Sequence, residues 1–117
     1  MESNIRASIA FIITAYASGK NGTGVFDYTQ GRRYSFSGTI RKCSINIFDH
    51  GRGCYLTGRI ENLYDHARRN FISIHLVNNL FTGYDFDDLT HFRGYTNGDN
   101  LIYQEYGVLF GSTYKLF

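Results

Sequence analysis

The chain reads as an all-β domain: an antiparallel meander of about ten short strands, folded into a two-sheet sandwich or closed into a barrel. Three observations predict this. An aromatic-Asp triplet recurs at strand ends, at Phe26-Asp27-Tyr28, Phe48-Asp49-His50, Tyr64-Asp65-His66 and Tyr84-Asp85-Phe86, with a degenerate fifth copy at Tyr103-Gln104-Glu105-Tyr106. The copies are spaced by roughly 16 to 22 residues, the length of two short strands with their turns, so each repeat is one down-and-back hairpin. Ten Tyr, ten Phe and thirteen Gly, with no Pro or Trp, favour strands joined by glycine turns.

With 117 residues the chain is one domain, 1–117, and a net charge of +2 with 43% hydrophobic residues argues for a packed core over disorder. A longer period lies over the hairpins. Gly38, Asp49 and Gly51 find counterparts 56 positions on, in Gly94, Glu105 and Gly107, and Asp27 with Asp85 and Phe11 with Phe71 match at slightly larger offsets. This predicts an internal duplication with pseudo-twofold symmetry, its halves at approximately 5–60 and 63–117.

Taken in order, residues 9–17 mix β-branched and aromatic residues before the breaker cluster Ser18-Gly19-Lys20-Asn21-Gly22 and read as a strand that aligns with Phe71 to Val77. A helix is the alternative, because alanines are frequent and alternation is not strict. Tyr34 to Ile40 alternates cleanly, with Tyr34, Phe36, Gly38 and Ile40 on the inner face. Cys43, Ile45 and Ile47 form the next inward set, followed by Ile72, Ile74 and Leu76, and by Val108, Phe110, Tyr114 and Leu116.

A two-residue turn at His50-Gly51 would pair Ile47 with Cys54, Ile45 with Leu56 and Cys43 with Gly58. Cys43 and Cys54 then share a face without facing each other, so both read as buried reduced thiols. The sandwich is the favoured form, with a narrow interior filled by its own Tyr and Phe.

Hairpin geometry sends the turns to two ends. Arg41-Lys42, Glu61-Asn62, Asn78-Asn79 and Asn97-Gly98 make a tight end, and the Asp triplets gather at the other with Gly31-Arg32-Arg33, Gly51-Arg52-Gly53, Ala67-Arg68-Arg69 and Asp87-Asp88. The candidate binding residues all belong to that second end: Asp27, Tyr28, Arg32, Arg33, Asp49, His50, Arg52, Asp65, His66, Arg68, Arg69 and Asp85. The repeated Asp also has a structural reading, as the acceptor of backbone N–H groups in its own turn.

No catalytic motif occurs. His50 and His66 could each pair with the preceding Asp as base and orienter, but no nucleophile stands in a recognisable setting. The chain is therefore expected to be non-catalytic, with no cofactor and no metal. A surface carrying Tyr and Arg with acidic counterparts suits a protein partner or self-association into an oligomer. Carbohydrate binding through Asp and Tyr is the first alternative, and single-stranded nucleic acid held by Arg pairs and stacked Tyr is the second.

The hairpin signature of the βγ-crystallins, a Tyr followed after four residues by Phe-x-Gly, is not met, since five residues separate Phe86 from Phe92-Arg93-Gly94. Neither that fold nor its calcium is expected. Ala15-Tyr16-Ala17 after a short apolar run imitates a secretory cleavage site, but Glu2 stands where positive charge belongs, so a cytoplasmic location is expected over a secreted one. No apolar run approaches the roughly 20 residues of a spanning helix.

Overall fold

The computed structural model describes all 117 residues, Met1–Phe117. Its first element is a helix, α1 (Ser3–Ser18), where a strand was the favoured reading. Ten strands follow: β1 (Gly24–Asp27), β2 (Arg32–Arg41), β3 (Ser44–Asp49), β4 (Cys54–Arg59), β5 (Asn62–Asp65), β6 (Asn70–Val77), β7 (Leu80–Asp85), β8 (Thr90–Asn97), β9 (Asn100–Glu105) and β10 (Ser112–Leu116). Each pairs antiparallel with the next, and β1 pairs with both β2 and β10. The all-β meander is thus a closed barrel; closure leaves no edge strand, which corrects the preference for a sandwich.

The helix fills the barrel. Ten of its residues are buried, including every position from Ala7 to Ala15, so it is enclosed on all sides. This corrects the narrow interior filled by Tyr and Phe alone. A strand in that place would bury unpaired N–H and C=O groups, because the closed sheet has no free ladder to offer; a helix satisfies its own. Gly19 ends it in the left-handed conformation, φ 70°, donating its N–H to Ala15 O. The expected match of Phe11 with Phe71 therefore pairs a helical residue with a strand residue and does not hold.

Inward side chains of the strands meet the helix in one core that includes Val25, Phe36, Ile47, Leu56, Ile72 and Leu101. Phe11 stacks on Phe36 with ring centroids 4.7 Å apart. Two inward glycines let the sheet curve around the helix. Gly94 faces Phe81 across β7–β8, and Gly83 faces Phe92. Each Phe ring lies over its glycine where a Cβ would collide with it. Outward positions carry polar residues such as Ser35, Ser37, Asn46, Ser73, Thr82 and Arg93 alongside aromatic cross-strand pairs such as Phe48 with Tyr55 and Tyr64 with Phe71. No helix is long and apolar enough to cross a membrane.

The inward sets Ile45 with Ile47 and Ile72 with Ile74 are as expected, whereas Val108 and Phe110 lie outside the strands and are exposed. The β3–β4 register also differs from expectation, pairing Ile47 with Leu56 and Asp49 with Cys54. Asp49 explains the shift, because its carbonyl accepts the N–H of Gly53 at 2.7 Å and so stretches the connection to His50–Gly53. In the β2–β3 register Arg41 pairs with Ser44, so Cys43 sits in the tight Lys42-Cys43 turn and is exposed, while Cys54 is buried; both are free. The other tight turns are Ile60-Glu61, Asn78-Asn79 and Gly98-Asp99, within one residue of expectation.

Candidate functional site

The end that carries the Asp turns surrounds the N-terminus of α1. Each Asp builds its turn in the same way, with Oδ1 accepting the N–H groups two and three residues on. The bonds are 2.9 and 3.1 Å at Asp27, 3.0 and 3.2 Å at Asp49, 3.0 and 3.2 Å at Asp65, and 3.0 and 3.4 Å at Asp85. This is the backbone-capping role that Asp at a strand end predicts.

The second carboxylate oxygen points inward and makes a ladder around the rim. Arg52 donates Nε to Asp49 Oδ2 and Nη1 to Asp65 Oδ2, both at 2.8 Å. Arg68 repeats the move one turn on, with Nε 2.7 Å from Asp65 Oδ2 and Nη1 2.6 Å from Asp85 Oδ2. Ser8 ties the ladder to the helix, its Oγ 3.0 Å from Asp49 Oδ2. Burial alone would push the Asp65 carboxyl up, but bonds from Arg68 and Arg52 outweigh it and hold the group below the usual carboxylate range. Burial likewise opposes the charge on both guanidiniums, and their carboxylate partners more than restore it.

The ladder stops on the side of β9, β10 and β1. Three residues after Asp27 stands Gln30 instead of an arginine, and Asp27 Oδ2 is buried with no hydrogen-bond partner in the protein. Here Arg6 from the helix approaches Glu105 Oε2 at 3.6 Å. Two inward phenols complete the corner. Burial raises both, then Glu105 adds to the effect on Tyr103 and Asp27 to that on Tyr114, which reaches about 12.

Outside the rim lies a collar of aromatic pairs. The residue before each Asp points outward and meets the residue after it nearly edge-on, as in Phe26 with Tyr28, Phe48 with His50, Tyr64 with His66 and Tyr84 with Phe86, at centroid distances of 4.8 to 5.1 Å. The connection between β9 and β10 is different. Tyr106 to Gly111 forms an exposed crest in which Leu109 and Phe110 are 82% and 80% accessible, beside the exposed Phe86 and Leu89 of the neighbouring turn.

The structure therefore divides the expected site residues. Asp27, Asp49, Asp65 and Asp85 are buried, and Arg52 and Arg68 are held in the ladder. Tyr28, Arg32, Arg33, His50, His66 and Arg69 are exposed on the same end. The suggested Asp–His pairs do not form: His50 Nε2 meets Ser37 Oγ at 3.0 Å and His66 Nε2 meets Thr57 Oγ1 at 2.8 Å, both on the outer surface. Sequence reasoning missed the crest, taking Val108 and Phe110 for inward strand residues; the flanking Gly107 and Gly111 were the available signal of a loop. Comparisons with protein-family models, curated proteins and solved structures find no match to this chain.

Proposed function

We propose that this is a non-catalytic interaction module that docks protein through the Asp-turn end, a second copy of itself being the partner the surface fits. The exposure of Leu109 and Phe110, on the same end as the exposed Phe86, Leu89 and Tyr106, carries the reading. The three most exposed large apolar side chains, Leu109, Phe110 and Leu89, all stand at this end, against Val77 and Leu80 at the other, and such a concentration marks a contact surface. Charge supports self-pairing. Arg32, Arg33 and Arg69 are exposed on one arc of this end, and on another stand Asp87 and Asp88, which pair with Arg68 and the Met1 amino group but keep 44% and 42% of their side-chain surface exposed, so a two-fold, end-to-end contact would set opposite signs against each other.

The alternatives have less support. Glycan binding through Asp needs carboxylates that reach the ligand, and these four are buried. Nucleic acid would lose Arg52 and Arg68 to the ladder. A cytoplasmic location suits the unpaired Cys43 and Cys54.

Light scattering over a range of protein concentration tests the proposal. The wild-type chain should run as a dimer or larger at low salt and dissociate more readily at high salt. The double substitution Leu109→Ser with Phe110→Ser should be monomeric with an unchanged circular dichroism spectrum. A wild-type monomer at every concentration and salt, or a double variant that associates as the wild type does, would overturn it.

A further inference from the structure

We propose that a cleft on the outer wall of the barrel, across β10, β1 and β2, binds a free nucleoside monophosphate, in which a planar ring is joined to a phosphate. The cleft measures about 310 Å³ and is lined by Phe26, Tyr28, Arg33, Lys115 and Phe117. Strand pairing explains the grouping. Phe26 stands opposite Arg33 on β2 and opposite Lys115 on β10, and residues directly opposed across an antiparallel pair share a face. Neighbouring strands lie about 5 Å apart, so the two long side chains flank one ring closely enough to reach the same ligand.

Both cations are exposed and free of acids. Arg6, Lys20, Arg52, Arg59 and Arg68 enter ion pairs, whereas Arg33 and Lys115 enter none. No carboxylate shares their face, because the one acidic residue of the three strands is Asp27, which is buried and points inward. The rings are open as well. Tyr28 and Phe117 are 52% and 42% accessible, and Phe26 meets Tyr28 nearly edge-on, at 82°, so the pair forms a step and not a closed stack. The Arg33 guanidinium lies 5.2 Å from the centre of the Phe117 ring, which holds its charge over the cleft.

The chemistry of the ligand follows from this lining. Two cations with no acid beside them call for an anion, and exposed rings call for a planar partner with a π-face of its own. A phosphate monoester suits two cations better than a carboxylate does, because at neutral pH it carries about two negative charges and three acceptor oxygens. The volume stands at the lower end of the roughly 300–1,000 Å³ of small-molecule pockets, which gives room for one nucleotide and not for a strand. The ion ladder is not involved, so the engagement of Arg52 and Arg68 there has no bearing on this cleft. Arg33 also adds to the charge of the docking end, but Lys115 and Phe117 belong to the cleft alone.

The test is calorimetry at low salt on the full chain with purine and pyrimidine nucleoside monophosphates, set against the matching nucleosides, inorganic phosphate and a single-stranded hexanucleotide. At least one monophosphate should bind saturably, with a Kd of about 1 mM or tighter that weakens as salt rises. Its nucleoside and inorganic phosphate should each bind at least about tenfold more weakly, since each supplies half of the contact. Lys115→Ala and Arg33→Ala should each weaken the monophosphate about tenfold, the effect of one lost hydrogen bond to a charged group. Both side chains are exposed and outside every ion pair, so the variants keep the fold, and because Lys115 takes no part in end-to-end docking, failure of that contact leaves this result standing. No saturable binding, a nucleoside or inorganic phosphate bound as tightly as the monophosphate, a hexanucleotide bound more than about tenfold tighter, or Lys115→Ala equal to the wild type would each overturn the assignment.

Discussion

An aspartate at the end of a strand can serve two masters with two oxygens, and this barrel uses both. Oδ1 closes the turn, and Oδ2 faces inward to the arginine ladder, which is why the spacing Asp-x-x-Arg at Asp49 to Arg52 and at Asp65 to Arg68 joins neighbouring hairpins. Arg68 lies between Asp65 and Asp85, both fully buried. Arg68→Ala strands the buried Asp85 without its cation and leaves Asp65 with Arg52 alone, and chemical denaturation should show a loss of about 3–5 kcal/mol. The turn role of Asp was legible in the repeated triplet. The ladder was present as the three-residue spacing, but a sequence does not say which oxygen faces the core.

These groups also set the pH limits of stability. Because the folded state holds Asp65 below its ordinary value, its contribution is full above about pH 4 and is lost as pH falls through the lowered value. Tyr114 works in the opposite direction. Its hydroxyl is raised to about 12 in the folded state, so stability is full below about pH 10 and declines between 10 and 12. Thermal melts should therefore fall at both extremes, and Tyr114→Phe should remove part of the alkaline loss while leaving the acid limb in place.

At the scale of elements, the helix is the part that sequence patterning misjudged. Ile9, Phe11 and Ile13 fit a strand as well as a helix when read alone, and an element buried on every side has no polar face to reveal its period. Ala7, Ala10 and Ala15 were the discriminating signal, since small residues let the helix sit close to the surrounding sheet. Ala10→Leu should accordingly overpack the interior, lowering stability by about 1–3 kcal/mol in a urea titration. The strands were far more legible, because one wet and one dry face produced clear alternation in Tyr34 to Ile40 and in Ser44 to Asp49. The crest was misread for a related reason. Val108 and Phe110 are apolar, and apolarity alone does not separate a residue inside the core from one on a contact surface.

For the whole molecule, closure creates two unlike ends. The tight-turn end receives the helix C-terminus, where Lys42 Nζ lies 4.3 Å from the centre of the Tyr16 ring. The other end combines an interior fixed by ion pairs with an exterior of aromatic pairs and an apolar crest. A rigid rim beneath an exposed surface presents contact groups with little ordering cost on binding. The sidedness is the central claim, and amide shifts in two-dimensional NMR of the labelled chain, recorded from dilute to concentrated protein, test it most directly. The account predicts concentration-dependent shifts at Phe86–Leu89 and Tyr106–Gly111, with Lys42, Cys43, Asn78 and Gly98 unmoved. Shifts centred on the tight-turn end, or none at any concentration, would contradict it.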